Sequence, residues 1–115
     1  MQENTGHSFS AYFKRAVSPL IVLALLRDRK MYGYEISQEI NLRTHKKLSI
    51  AVLYPVLYRL EEQGYIRIAD TVVENGRARN YYITTEAGTD YLHRVYRDYL
   101  ELSALFQDVI EGEHS

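Results

Sequence analysis

The sequence predicts a mainly helical protein that contains one small β-hairpin. Three observations lead to this fold class. Apolar residues recur at helical spacing in three successive segments of the first half of the chain. The period falls to two after Gly64, on both sides of an Asn75-Gly76 turn signal, and helical spacing then returns over one long final segment. Three helices followed by a two-stranded hairpin form a winged helix-turn-helix, here extended by a long C-terminal helix.

The composition excludes several classes of protein. The chain has 115 residues, 46% hydrophobic and 25% charged, which suits one globular domain. It has no cysteine, so disulfides, thiolate nucleophiles and Cys-bound zinc are excluded. The apolar run over residues 16–26 superficially resembles a signal peptide. Pro19 interrupts this run, charged residues follow it, no small-residue cleavage site is present, and it is too short to span a bilayer. We expect a soluble cytoplasmic protein without membrane contact.

The net charge of −1 hides an asymmetry between the two halves of the chain. Residues 1–60 carry nine basic and four acidic side chains, a net charge of +5. Residues 61–115 carry five basic and eleven acidic side chains, a net charge of −6. This division favours one surface that meets a polyanion and another with a different role.

The first two helices precede the predicted recognition helix. The first is expected over residues 8–29, and its C-terminal part is apolar on nearly every side, which indicates a central, buried helix. Pro19 lacks a backbone N–H, so this helix either kinks there or restarts with Ser18 as its N-cap. A turn containing Gly33 leads to a short second helix, residues 34–43.

The third helix is the predicted recognition helix. Ser49 is expected to cap it, and the helix should reach Gln63, with Gly64 as its stop. Pro55 falls within its first turns, where proline is tolerated. Four apolar residues at three- and four-residue spacing should face the core, namely Leu53, Val56, Leu57 and Leu60.

The hairpin and the last helix complete the chain. Strands are expected over residues 66–72 and 79–84, and Thr84 or Thr85 then caps a helix that extends to Ile110. We therefore divide the chain into a winged helix-turn-helix DNA-binding domain, residues 8–85, and a C-terminal dimerisation helix, residues 86–111, which packs with the N-terminal helix.

The N-terminal end of the third helix is the first candidate for DNA contact. A recognition helix presents this end to base edges and its flanks to phosphates. The residues there that lie off the core stripe, or just before the helix, are Lys46, Lys47, Ser49, Ala51, Val52 and Tyr54. The alternative is a packed tyrosine preceded by two solvated lysines.

The wing supplies a second set of candidates. Arg77 and Arg79 flank the wing turn, where arginine suits a narrow, negatively polarised minor groove. The alternative is a charged hairpin tip that keeps the protein soluble. Arg77 lies nearer the tip, whereas Arg79 has the further alternative of holding the strands together by pairing with Asp70 or Glu74.

Two further residues have a DNA-binding and a structural interpretation. Arg59 either bonds a phosphate or pairs with Glu62 or Glu35. Tyr34 either touches phosphate through its hydroxyl or caps the core. The residue pattern leaves both alternatives open.

The last helix is acidic and unsuited to DNA, but it carries a long apolar seam. The small winged domain cannot cover this seam, so we expect a second protomer to cover it. Two-fold symmetry would then place two recognition helices on a palindromic site, about one DNA turn apart. The predicted dimer seam consists of Leu92, Val95, Tyr99, Leu102, Phe106 and Val109.

Three blocks of sequence resemble the PadR family of transcriptional regulators, in family order and spacing. The resemblance covers residues 20–88, and its L-Y-P-x-L-x-R-L-E-x-x-G block is highly specific. The chain has Val52 where the family usually has a small or hydroxylated residue, which bears on the DNA sequence that is read. The blocks are Tyr32-Gly33-Tyr34-Glu35-Ile36, Leu53-Tyr54-Pro55-Val56-Leu57-Tyr58-Arg59-Leu60-Glu61 with Gly64-Tyr65-Ile66, and Arg77-Ala78-Arg79-Asn80-Tyr81-Tyr82-Ile83-Thr84-Thr85-Glu86-Ala87-Gly88.

The length and the single C-terminal helix resemble the short PadR subfamily, which includes multidrug-sensing repressors. The resemblance implies that Tyr99 matches an aromatic residue that stacks on ligands between subunits, with Tyr96 one turn away and Leu20 facing them. The chain has eleven tyrosines, and Phe13 joins those near the predicted seam. Such rings suit a planar aromatic small molecule. The alternative is an aromatic dimer core without a cavity.

The sequence does not support an enzymatic function. His7, His45, His93 and His114 are scattered, without metal-ligand spacing, and no phosphate-cradling glycine loop is present. We therefore expect no catalysis, metal or cofactor. The sequence favours a homodimeric, ligand-responsive transcriptional repressor on a palindromic operator. The alternative is a winged-helix protein-interaction module without sequence-specific DNA binding.

Overall fold

The fold has the predicted order of elements. A computed structural model describes residues 8–112, so His7 and His114 lie outside the described residues. Four helices and a two-stranded antiparallel hairpin form a winged helix-turn-helix with a long C-terminal helix, which confirms the predicted fold class. The elements are α1 (Phe9–Asp28), α2 (Gly33–Arg43), α3 (Leu53–Glu62), β1 (Ile66–Glu74), β2 (Arg77–Thr84) and α4 (Glu86–Glu111).

Helix α1 is the central helix. Its N-terminus is capped by the Ser8 hydroxyl, which accepts a hydrogen bond from the Ala11 N–H at 3.1 Å. The helix runs through Pro19 without interruption, so the predicted alternative of a restart at Ser18 is wrong. The Ser18 hydroxyl does not cap a new helix because it donates to the Lys14 carbonyl within the same one.

The C-terminal half of α1 lies inside the core. Helix α1 is long and apolar enough to cross a membrane, but the core helices of soluble proteins have the same length and composition. Here helices α2 and α3, the hairpin and the start of α4 all pack around it. The side chains of this core with the least exposure are Val22, Leu23, Leu26, Met31, Ile36, Ile40, Leu57 and Ile66.

The connection between α2 and α3 corrects one prediction, because Ser49 does not cap α3. Its hydroxyl lies within hydrogen-bond distance of the Asn41 side-chain oxygen and 3.0 Å from the Lys46 carbonyl, so it holds the turn instead. Helix α3 therefore begins later than predicted, at Leu53, without a side-chain cap. Pro55 is its third residue, where the missing N–H would have had no helical partner.

The hairpin is longer than predicted. Asn75 and Gly76 both have positive φ angles, 50° and 76°, which is the backbone of a type I′ turn and confirms the turn signal. The strands pair out to Glu74 and Arg77 on either side of it. A bulge between Ile68 and Asp70 interrupts the pairing, and it breaks the predicted alternation of inward and outward side chains.

Helix α4 starts inside the core and then leaves it. Thr85 caps it by accepting from the Gly88 N–H at 3.0 Å. A Cβ atom at Gly88 would lie 2.1 Å from the Tyr65 carbonyl oxygen, so only glycine permits this close approach. Tyr91 stacks on Tyr65 with ring centroids 4.4 Å apart, and both side chains pack against the core.

Candidate nucleic-acid interface

The start of α3, the start of α2 and the wing enclose one groove, which we call the tyrosine groove. It has a volume of about 510 Å³ and opens to solvent. Aromatic rings, hydroxyls and two guanidinium groups line it, so it is suited to a polar, negatively charged and partly planar surface. The lining residues are Tyr32, Tyr34, Tyr54, Tyr58, Arg77, Ala78, Arg79, Asn80 and Tyr82.

The N-terminal end of α3 is accessible, as a recognition helix requires. Ala51 and Val52 are exposed, and Val52 keeps 63% of its surface in contact with solvent. Its neighbour Leu53 turns inward to the core. The exposed end of α3 is therefore apolar at its tip, which suits contact with thymine methyl groups and not with phosphate.

Tyr54 is both packed and exposed, so it agrees in part with each of its two interpretations, a DNA contact and a packed tyrosine. Its side chain is half exposed, but one edge packs over the first residue of α2. A Cβ atom at Gly33 would lie 2.5 Å from the Tyr54 hydroxyl oxygen. Gly33 thus leaves the space that allows the tyrosine ring to lie across the helix-turn-helix and still face the groove.

Three of the predicted cations point to solvent. Lys46, Lys47 and Arg77 are exposed, and none of them forms an ion pair with another residue in the described range 8–112. Lys46 has a φ angle of 65°, a left-handed conformation that turns the chain sharply before α3. These three side chains are free to approach phosphates.

Arg59 lies apart from these cations. It is exposed on another flank of α3, where it lines a small depression of about 180 Å³ with Pro19 and Gln63. Within residues 8–112 it forms an ion pair with neither Glu62 nor Glu35. Glu35 lies 3.8 Å from the Arg29 guanidinium instead. The structure does not bring Arg59 into the tyrosine groove.

Arg79 has one of the two structural partners that the sequence offered, Glu74, and a second partner that it did not offer, Tyr32. Its Nη1 lies 3.1 Å from a Glu74 carboxylate oxygen and 3.3 Å from the Tyr32 hydroxyl. Its guanidinium carbon stands 4.8 Å from the centre of the Tyr32 ring. Asp70, the other predicted partner, binds Lys30 at 3.0 Å. That hydrogen bond holds the pKa of the Asp70 carboxyl below its ordinary value.

Tyr34 does not cap the core, so that alternative is wrong. The side chain is exposed, and its hydroxyl accepts a hydrogen bond from the Gln38 side-chain amide at 2.9 Å. Gln38 lies one turn later on α2, so the bond orients the tyrosine without burying it. The hydroxyl can still donate its own proton to a ligand in the groove.

Five residues of the groove were not among the predicted DNA contacts, namely Tyr32, Tyr58, Ala78, Asn80 and Tyr82. Tyr58 follows Tyr54 by one helical turn, and the two rings are 6.1 Å apart. Their four-residue spacing was the available signal, because residues i and i+4 share a face of a helix. The positions of Tyr32 and Asn80 depend on how the wing packs, which no local pattern encodes.

A second depression lies between α1 and α4, with a volume of about 240 Å³. It contains Leu20, Tyr96 and Tyr99, three of the four residues predicted to bind a ligand. Phe13 does not line it, because its ring packs on Phe9 near the start of α1, with the ring centroids 6.0 Å apart. The remaining lining residues are Val17, Ile21, Ala24 and Leu92.

The predicted dimer seam divides into a buried and an exposed part. Leu92 belongs to the core of the chain itself, since only 7% of its surface is exposed, which corrects its assignment to the seam. Val95 is half-buried. Beyond it the apolar side chains are exposed, in a wider band than predicted, and we call this band the α4 stripe. It consists of Tyr99, Leu100, Leu102, Leu105, Phe106, Val109 and Ile110.

The described residues hold no cluster of three or more His, Asp or Glu side chains that could bind a metal ion. The Nε2 atom of His93 lies 3.4 Å from Nη1 of Arg27, on α1, so His93 takes part in a contact between two helices.

Comparison with known proteins places this fold in a family. The model of the PadR-like transcriptional regulator family matches residues 22–94. A protein of Lysinibacillus sphaericus is 37% identical over 94 residues, covering 80% of this chain and 86% of the relative. Transcriptional regulator Rv3488 of Mycobacterium tuberculosis is 34% identical over 101 residues, covering 88% and 90%.

Solved structures agree with this family match. The crystal structure of a PadR family transcriptional regulator from Eggerthella lenta superposes with a TM-score of 0.80 at 26% identity, covering 90% of this chain and 89% of that chain. Proteins of this family are DNA-binding transcriptional regulators and not enzymes, as the sequence predicts. The chain therefore belongs to the PadR-like family of transcriptional regulators.

Proposed function

We propose that the protein is a cytoplasmic, homodimeric repressor that binds a palindromic operator and releases it when an aromatic small molecule binds. The observation that carries this proposal is the α4 stripe. It is an apolar surface on the same chain as the exposed tyrosine groove, and it has no cover within the described residues. A dimer through this stripe gives the two-fold symmetry that a palindrome requires.

Exposed apolar side chains on adjacent turns support the dimer. Leu102, Phe106 and Val109 each keep more than 60% of their surface in solvent. A contiguous patch of this kind on a soluble protein marks an interaction surface. Burying it against a second copy contributes about 25 cal/mol for each Å² of apolar area. Residues 86–111 then serve dimerisation, except for the first turns of α4, which complete the winged domain.

The exposed side chains support the assignment of DNA contacts. We assign Ala51, Val52 and Tyr54 to base edges, because they are exposed at the N-terminal end of α3 or just before it. Backbone phosphates fit the hydroxyls and cations around them. This second set consists of Tyr34, Lys46, Lys47, Tyr58 and Arg77. Ser49 is left out because its hydroxyl is engaged in the turn, and Arg59 is assigned to a flanking phosphate.

The depression between α1 and α4 supports the response to a ligand. Tyr96 and Tyr99 form one wall with nearly parallel rings, 15° apart, and Leu20 faces them. The depression is open and continuous with the α4 stripe through Tyr99, so a second protomer would close it. A planar aromatic molecule held there would shift the distance between the two recognition helices. A coupling free energy of about 1–3 kcal/mol is enough for such regulation.

A titration with DNA fragments tests the function. The fragment upstream of the protein's own gene and a scrambled fragment of equal length are labelled, and binding is followed by fluorescence anisotropy at several salt concentrations. We expect affinity for both to fall with salt, while the upstream fragment keeps an advantage of about 10³-fold or more at fixed salt. Equal affinity for every fragment contradicts the proposal and favours a protein-interaction module.

Titrating planar aromatic compounds into the complex tests the regulation. We expect release of the upstream fragment together with a change in tyrosine emission. Replacing Tyr96 with alanine should weaken the response to the compound while leaving the affinity for DNA unchanged, because Tyr96 does not line the tyrosine groove. A compound that binds equally well to wild type and to Tyr96→Ala does not use this depression.

A further inference from the structure

Arg77 and Arg79, the two arginines of the wing, differ in their contacts. We propose that Arg79 is a positioning residue that locks the wing onto the helix-turn-helix, whereas Arg77 is the arginine that contacts DNA. This inference rests on the proposed function, because it concerns how the wing is held for DNA binding. The two residues are two apart on β2, so their side chains leave the same face of the strand.

The contacts of Arg79 occupy its guanidinium group. The side chain is 34% exposed and lies between the Glu74 carboxylate and the Tyr32 ring. It makes an ion pair, a hydrogen bond to the Tyr32 hydroxyl and a cation–π contact at once. An arginine engaged in this way must break contacts inside the protein before it can bind phosphate or enter a groove.

Tyr32 anchors these contacts to the helix-turn-helix. It stands at the N-terminus of α2, where its backbone N–H donates to the Glu35 carboxylate at 3.2 Å. Its ring also meets the edge of Tyr81, on β2, at a centroid distance of 5.2 Å. The contact between Arg79 and Tyr32 therefore ties the wing to the first turn of α2.

The two residues before Tyr32 add two more ties to the hairpin. Lys30 binds Asp70 on β1 at 3.0 Å. Met31 pairs with Tyr82 on β2 through two backbone hydrogen bonds, of 3.2 Å and 2.9 Å. Three successive residues, 30–32, thus reach both strands. An isolated two-stranded hairpin is marginally stable, so these ties set the angle of the wing.

Arg77 has none of these constraints. It is exposed at the end of the hairpin and forms no ion pair with another residue in the described range. Its reach into a DNA groove depends on where the wing stands, and the wing's position depends on Arg79. Loss of Arg79 should therefore act on DNA binding through Arg77, and the two losses should not add.

The test combines two measurements on the full-length protein. The first is operator affinity at several salt concentrations for Arg77→Ala, Arg79→Ala, Arg79→Lys, Tyr32→Leu and the double variant Arg77→Ala/Arg79→Ala. The second is the hydrogen-exchange rate of the Met31 and Tyr82 amides in the DNA-free protein, measured by NMR. Circular dichroism confirms that each variant is folded.

We expect Arg77→Ala to weaken operator binding by about tenfold or more and to lower the salt slope by about 1. Arg79→Ala should weaken binding to a similar extent, and the double variant should be no weaker than Arg77→Ala alone. Arg79→Lys should resemble Arg79→Ala, since lysine keeps the charge but loses the planar fork. Tyr32→Leu should weaken operator binding to a similar extent although Arg79 is intact.

Amide exchange separates this inference from the proposed function. Exchange at Met31 and Tyr82 should accelerate in Arg79→Ala and Tyr32→Leu but not in Arg77→Ala. Unchanged exchange in all three overturns the locking role, whether or not DNA binds. Additive losses of affinity, with a normal affinity in Tyr32→Leu and Arg79→Lys, show that Arg79 itself contacts DNA and also overturn it. If the wild type prefers no DNA fragment, the proposed function fails and exchange alone decides the locking role.

Discussion

Helix α3 and the second half of α4 carry the same kind of apolar pattern, but only one of them is covered. In α3 the side chains at three- and four-residue spacing are buried, and Leu57 has no exposed surface. In α4 the side chains at the same spacing are exposed, and Leu102 keeps 63% of its surface in solvent. Periodicity therefore predicts which face of a helix is apolar, but it does not say whether this chain or another one covers that face.

The largest expected effect comes from α3. Leu57→Ala should lower the free energy of unfolding by about 2–5 kcal/mol, because it leaves a cavity in a core with no solvent access. Urea denaturation at one fixed protein concentration measures it. The matched control is Leu42→Ala, an exposed leucine on α2, which should change stability by less than about 0.5 kcal/mol. Equal effects of both variants would contradict the placement of the core.

The next effect tests the α4 stripe. Leu102→Asp should convert the dimer to a folded monomer, because a charge in an apolar interface costs several kcal/mol to desolvate. Operator affinity should fall by more than about 100-fold as one of the two recognition helices is lost. Light scattering and anisotropy measure the two results. Leu42→Asp is the control and should remain dimeric. A dimeric Leu102→Asp with normal operator affinity removes this residue from the interface.

A smaller effect distinguishes the inside of the winged domain from the surface that we propose for DNA contact. Gly88→Ala should destabilise the fold by about 1–3 kcal/mol, because the new Cβ meets the rigid Tyr65 carbonyl. Gly33→Ala should leave stability nearly unchanged, since its Cβ meets only the movable end of Tyr54. It should nevertheless weaken operator binding severalfold by displacing that ring. Thermal unfolding and anisotropy test the pair, and equal stability of both variants contradicts the account.

The smallest effect concerns the wing. Lys30 lowers the pKa of Asp70. The pair therefore stabilises the wing at pH values above 3.8, the ordinary pKa of this carboxyl group. This contribution is lost as the pH falls through the lowered pKa of the folded protein. NMR titration should find the Asp70 pKa below 3.8 in the wild type and near that value in Lys30→Met. An identical pKa in both proteins contradicts the ion pair.

The sequence predicted the fold because each of its signals is local. The Asn75-Gly76 turn, the Thr85 cap and the buried stripe of α3 all follow from residues close together in the chain. Ser49 was misassigned because its hydroxyl found a partner on α2, which no pattern near α3 reveals. The sequence places Arg77 nearer the wing tip and offers Arg79 a pairing with Asp70 or Glu74. The contact of Arg79 with Tyr32 depends on tertiary packing, which no local pattern reveals.

The apolar face of α4 was predicted in outline and not in detail. Helical spacing identified an apolar face, but Leu92 lies early enough in α4 to join the core of the chain itself. Leu100, Leu105 and Ile110 widen the exposed band beyond the predicted line. Where a helix leaves its own domain depends on the lengths of its neighbours, so one helix's periodicity cannot locate that point.

The mass of the wild-type protein in solution tests the central claim most directly. Size-exclusion chromatography with multi-angle light scattering, at micromolar concentration and physiological salt, should give twice the chain mass of 13.5 kDa. That result means that a second copy covers the α4 stripe. A mass of 13.5 kDa across the whole concentration range would mean that no second copy covers the α4 stripe. It would contradict a dimer that binds palindromic DNA.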